Sequence, residues 1–312
     1  MRRWLTVCGI AGTMLLALST AAVAAPAPPD PPRPTAPDQA PDQAGQSAGH
    51  ETSAAAAFGW GEPNRVDEFD GPLGEAWNVY DGPGHADNGR RTPDAVSIED
   101  GILTITGDAQ GNTAGMAWGP GQKYGRWEGR VRAPASDESY NALLLLWPDA
   151  EDFPVGGEID FMEMMDHTRQ TTNIFLHYGE DNDQVVGEVQ IDATQWHNWA
   201  VEWTPDHVAA FVDGKEWWRT EDTEILPPRA MHLCIQLDWF PEDGEGEVQE
   251  STMHVDWVTR YPLDEGQRSE PADEAVGPAP APGSAQRAPS DPATATRVES
   301  GLTEGTPDPA TR

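Results

Sequence analysis

Between residues 101 and 261 no apolar face is sustained at a 3.6-residue period for three turns. Short apolar runs follow one another instead, with turn residues between them. Residues 101–107, 126–132, 141–147, 173–178, 199–203, 207–213, 231–239 and 252–261 each read as a strand. Pro, Gly, Asp and Asn cluster between these runs. Asp213 followed by Gly214 is a hairpin signal, because both residue types tolerate positive φ. Many short strands separated by turns give an all-β sandwich or jelly roll with very little helix. Trp is abundant, at 13 residues, and large rings fill the space between two sheets. Trp127, Trp199, Trp203 and Trp257 fall in alternating strands and are expected in the core.

One run breaks its own pattern. Residues 156–165 read Gly-Gly-Glu-Ile-Asp-Phe-Met-Glu-Met-Met, so Glu158, Asp160 and Glu163 interrupt an otherwise apolar strand. A buried carboxylate is costly unless it is paired, protonated or hydrogen-bonded, so the trio needs a reason. Side chains alternate along a strand, which puts Glu158 and Asp160 on one face and Glu163 on the other. A β-bulge with Phe161 or Met162 as the extra residue returns Glu163 to the first face. Two carboxyl groups about 5–5.5 Å apart can cleave a glycosidic bond with retention. Spacing alone equally allows a solvated acidic edge strand or a set of hard oxygen ligands for calcium. Trp147 and Trp239 end apolar runs beside Pro or acidic residues, and are read as rings lining a groove.

The ends carry other information. Residues 1–25 pair the basic Arg2 and Arg3 with an apolar stretch and the small-residue site at Ala22 to Ala24, the pattern of a secretory signal peptide. Residues 26–57 and 264–312 are rich in Pro, Ala and acidic residues with few large apolar ones, and are expected to be disordered. A single domain over residues 58–263 remains. No run is apolar enough for a membrane span. The net charge of −34, with Lys123 and Lys215 the only lysines, disfavours nucleic acid and other polyanions. Once Cys8 leaves with the signal, Cys234 has no partner for an intrachain disulfide and is expected in a buried strand. A secreted, extracellular monomer is expected.

The Glu-Ile-Asp-Phe-Met-Glu segment at 158–163 resembles the bulged Glu-x-Asp-x-x-Glu signature of glycoside hydrolase family 16. Residues 67–71, 123–128, 176–179, 196–206, 211–215 and 255–261 resemble further blocks of that family, in the same order. The resemblance implies a concanavalin-like β-jelly-roll of two curved antiparallel sheets, with a groove on the concave face. It implies Glu158 as nucleophile, Asp160 as the assisting carboxylate and Glu163 as general acid/base. It also implies a cleft-facing His177, a sugar-contacting amide at Gln236, and a structural calcium on the convex side involving Asp256 and groups near Glu68. No cofactor is required for catalysis on this reading.

The substrate implied is a β-linked polysaccharide, with 1,3 or mixed linkages. Two segments depart from laminarinase-like members: the Leu-Leu-Leu-Leu-Trp-Pro run ending at Pro148, and the strand at 231–239. Both bear on which polysaccharide fits. A non-catalytic carbohydrate-binding jelly roll and a transglycosylase on the same scaffold are the competing readings.

Overall fold

The computed structural model describes residues 49–244, 246–263 and 296–297. The expected signal peptide, most of the linker and nearly all of the tail lie outside these residues. The strands in chain order are β1 (Arg65–Asp67), β2 (Trp77–Val79), β3 (Gly82–Pro83), β4 (Arg90–Arg91), β5 (Val96–Glu99), β6 (Ile102–Gly107), β7 (Asn112–Thr113), β8 (Gly115–Gln122) and β9 (Gly125–Arg132). They continue as β10 (Tyr140–Pro148), β11 (Glu158–Met164), β12 (Thr171–Tyr178), β13 (Asp183–Gln190), β14 (His197–Trp203), β15 (Val208–Val212), β16 (Lys215–Thr220), β17 (Met231–Trp239) and β18 (Ser251–Tyr261). Helix among the described residues is confined to short pieces, chiefly α1 (Ala54–Phe58).

Two antiparallel sheets form a jelly roll. One runs β16-β15-β14-β9-β18-β6-β5, with β1 also on β18; the other runs β13-β12-β11-β10-β17-β8-β2, with the two residues 296–297 parallel to β13. The inner faces meet over one hydrophobic core. Alternation decides which residues enter it: from β10 the core takes Ala142, Leu144 and Leu146, while Leu143 and Leu145 join Ala117 and Cys234 in a separate cluster on the outer face. Trp127, Trp199 and Trp203 sit between the sheets, as expected. Trp257 is equally buried but on the other side of its sheet, where His50 stacks on it with ring centroids 4.4 Å apart.

That stacking belongs to an N-terminal strap, which corrects the expected disorder up to residue 57. Ser53 caps α1 by accepting from the Ala56 amide, and Gly59 ends it in the left-handed region at φ 64°. Two free amides of the helix start, on Ala54 and Ala55, donate to the Glu128 carboxylate at 2.7 and 3.3 Å. Trp60 then packs with Ala200, Ala209, Phe211 and Tyr261. The outer face of the first sheet is therefore roofed in part by residues 49–57, which the composition assigns to a linker, and in part by Trp60 of the expected domain.

Candidate active site

The site is built on β11, the strand the acids interrupt. Its register with β12 pairs Asp160 with Phe175 and Glu163 with Asn173, so three steps on β11 span two on β12. Towards β10, Leu144 faces Met162 and Leu145 faces Asp160, which leaves Phe161 as the extra residue. The expected bulge is present, and Phe161 and Met162 both turn into the core. Glu163 lies opposite Leu143 and Asp160 opposite Leu145. Leu143 and Leu145 share the outer face, so all three acids do as well.

All three are nearly buried: Glu158 is 6 % exposed, Asp160 2 % and Glu163 0 %. Each acid has an identifiable neighbour. His177, opposite Glu158 in register, brings Nε2 to 3.1 Å from Asp160 Oδ2, while its Nδ1 lies 2.9 Å from Asn182 Oδ1. Asn182 Oδ1 accepts, so Nδ1 carries a hydrogen. The contact to Asp160 then shares one proton, on the acid or on the ring. One ligand atom each from Glu158, Asp160 and His177 falls within a mutual 4.8 Å. Asn141 Nδ2 donates to Glu163 Oε1 at 3.3 Å. Asn141 and Asn182 are absent from the sequence expectations. Asn141 had a signal, being a polar residue leading an all-apolar run.

The other expected groove residues divide. Trp147 lies on the site face beside the acids, with its ring stacked on Phe153 at 5.1 Å and Nε1 donating to Glu151 Oε2 at 2.9 Å. Gln236 also lies on that face, and its Oε1 accepts from Arg91 Nη2 at 2.6 Å. Trp239 does not. Alternation from Gln236 and Asp238 turns it the other way, opposite Tyr140, where it packs on Gly89 and Gly111 and donates to Ser139 Oγ at 3.0 Å. Its place at a strand end hid this parity.

The calcium ligands implied by resemblance meet basic groups. Asp256 pairs with the Arg130 guanidinium, and Glu68 Oε1 lies 3.5 Å from His50 Nε2. Arg130 already neutralises Asp256, and His50, whose pKa is raised by its hydrogen bond to Glu68, lies against the other carboxylate, so this arrangement does not favour a calcium ion. Millimolar calcium or a chelator is expected to leave the melting temperature unchanged. A rise of several degrees with calcium, as about 2.7 kcal/mol from a ligand at 100 Kd would give, would show that Arg130 is displaced.

The two-sheet jelly roll thus carries on its outer face a bulged carboxylate trio with a histidine beside it, the arrangement of a glycoside hydrolase. The chain belongs to glycosyl hydrolases family 16, whose model matches residues 87–259, more than half of its length. It is 30% identical over 164 residues to a beta-glucanase of Rhodothermus marinus, covering 44% of this chain and 57% of that one. It is 28% identical over 166 residues to glucan endo-1,3-beta-glucosidase A1 of Niallia circulans, covering 45% of this chain and 24% of that one. The chain thus spans little more than half, or only a quarter, of these relatives. The fold matches the catalytic domain of an endo-1,3-beta-glucanase (laminarinase) from Thermotoga petrophila, with TM-score 0.58 and 22% identity over 65% of this chain and 98% of that one.

Proposed function

We propose that this protein is a secreted retaining endo-glycosidase that hydrolyses a β-glucan with 1,3 or mixed linkages. The observation that carries the reading is the bulge at Phe161, which sets Glu158, Asp160 and Glu163 on one face. Family membership supports the reaction class, and the relatives' names support the glucan.

Glu158 as carboxylate attacks the anomeric carbon while Glu163 as acid protonates the departing oxygen. Two nearby carboxyl groups resist ionising together, which favours one charged and one protonated partner. Asp160, sharing one proton with His177, lies between the two Glu residues in sequence and on their face, placed to hydrogen-bond Glu158. Water then cleaves the glycosyl-enzyme, with Glu163 acting as base. No step uses a metal or cofactor, and one chain carries every group named.

Purified protein is expected to release reducing ends from laminarin or mixed-linkage barley glucan, with the product's anomeric configuration retained in early NMR spectra. Agarose and carrageenan are expected to be left intact. Folded protein inactive on all four polymers, yet able to bind one of them, would favour the carbohydrate-binding alternative.

A further inference from the structure

We propose that Arg91, clamped between Gln236 and Asp238, reads the hydroxyl groups of a neutral sugar unit beyond the one being cleaved; this rests on the glycosidase reading above. Along β17 the polar residues His232, Gln236 and Asp238 recur on the site face, with Cys234 among them. Glu163, Leu143 and Gln236 lie opposite one another across β11, β10 and β17. Two strand spacings separate the backbone at Glu163 from that at Gln236, about 10 Å.

Next in that row comes Gly115 on β8. A Cβ at Gly115 would lie 2.9 Å from the Tyr80 ring and 3.3 Å from Arg91 Nε. The absent side chain is therefore what seats Tyr80 and Arg91 on this face. Arg91 Nη2 donates to both oxygens of Asp238 at 2.7 Å and Nε to Oδ1 at 3.1 Å, with the guanidinium 5.5 Å from the Tyr80 ring centroid.

Such a fixture does more than an ion pair requires. Arg91 has five donors; Nε and Nη2 are used, and Nη1 donates to no described residue. Gln236 commits its carbonyl oxygen to Arg91, so its amide N–H groups are the part left to turn outward. Donors of two kinds beside a carboxylate suit the paired hydroxyls of a pyranose. The charge of Arg91 is matched by Asp238, whose Oδ2 also lies 4.0 Å from His85 Nδ1, and this pairing favours a neutral sugar over a sulfate or carboxylate.

The test uses laminarin as substrate and laminarihexaose as binding probe. R91K is expected to raise KM about 10- to 100-fold with kcat changed less than about 3-fold, the loss of a charge-assisted hydrogen-bond pair. R91M/D238L removes both charges and leaves no orphaned carboxylate, so it controls for misfolding and is expected to show the same KM rise. In the full chain carrying E158Q, adding R91K is expected to weaken calorimetric affinity for the hexaose by a similar factor. If laminarin is cut and both folded variants keep the wild-type KM, or lose only kcat, the inference fails while the hydrolase reading stands. If laminarin is not cut but E158Q binds the hexaose through Arg91, the reverse holds. If laminarin is not cut and E158Q does not bind the hexaose, both are overturned.

Discussion

Glu158→Gln is expected to lower glucan hydrolysis by about 10⁴-fold or more, equivalent to about 5.5 kcal/mol of transition-state stabilisation, with little change in folding. The amide keeps the shape of the carboxylate and loses its charge and nucleophilicity, so oligosaccharide binding should persist. Glu163→Gln is expected to behave differently. It removes the proton donor, and general acid catalysis contributes about 10²–10⁴-fold. That loss should shrink for an aryl glycoside whose leaving group departs without protonation. Adding azide to Glu158→Ala should restore turnover and yield a glycosyl azide of inverted configuration, because a small anion can occupy the vacated carboxylate site. If instead azide rescues only the Glu163 variant to an inverted product, the two roles are exchanged. If neither variant loses more than about tenfold, these acids are not the catalysts. His177→Ala should fall between the extremes, since it touches Asp160 rather than the reacting carbon and acts by positioning that carboxyl group.

The strand pattern, the bulge and the face shared by the three acids were all readable in the chain, because each follows from two-residue periodicity and one local exception to it. Parity also tells what went unread. The polar residues at 232, 236 and 238 occupy alternate positions of an apolar run, which is as strong a signal for a polar face as the acids on β11. Trp239, one step further, belongs by the same rule to the opposite face. Arg91 was invisible for another reason: its partners lie about 145 positions away, and only β4, paired with β3 and β7, brings it over Gly115. Local pattern cannot report a contact of that sequence separation. The strap was hidden by composition, since Ala-rich sequence next to Pro-rich sequence looks like linker. Its cap residues, Ser53 and Gly59, were nonetheless present at helix spacing.

A chain beginning at residue 61 is expected to be markedly less stable than one beginning at residue 26. Removing the strap exposes the surface under Trp60 and the Trp257 ring, and takes the backbone donors away from Glu128 and the Gly49 and Thr52 oxygens away from Asn198 Nδ2. Lost burial and orphaned polar groups together come to about 4–6 kcal/mol, or a fall of about 10–20 °C in melting temperature for a domain of this size. The gap should depend on pH. Burial lifts Glu128 from 4.5 to about 7, the amides of Ala54 and Ala55 and the charge of His50 only partly opposing it, with Asp213 adding repulsion. A carboxyl group raised on folding stabilises fully below its unfolded value, and that contribution fades as pH rises through the folded one. Its span here is about 3 kcal/mol. His50, lifted by its hydrogen bond to Glu68, changes in the same direction. The strap's advantage, measured by urea unfolding of both chains, should therefore be largest near pH 5 and shrink towards pH 8, by at most about 3 kcal/mol where the strap supplies the burial of Glu128. In Glu128→Gln most of that slope should vanish. Equal stabilities of the two chains at pH 5 would mean that the strap does not hold the sheet, and a gap that widened with pH would mean that Glu128 is charged when docked.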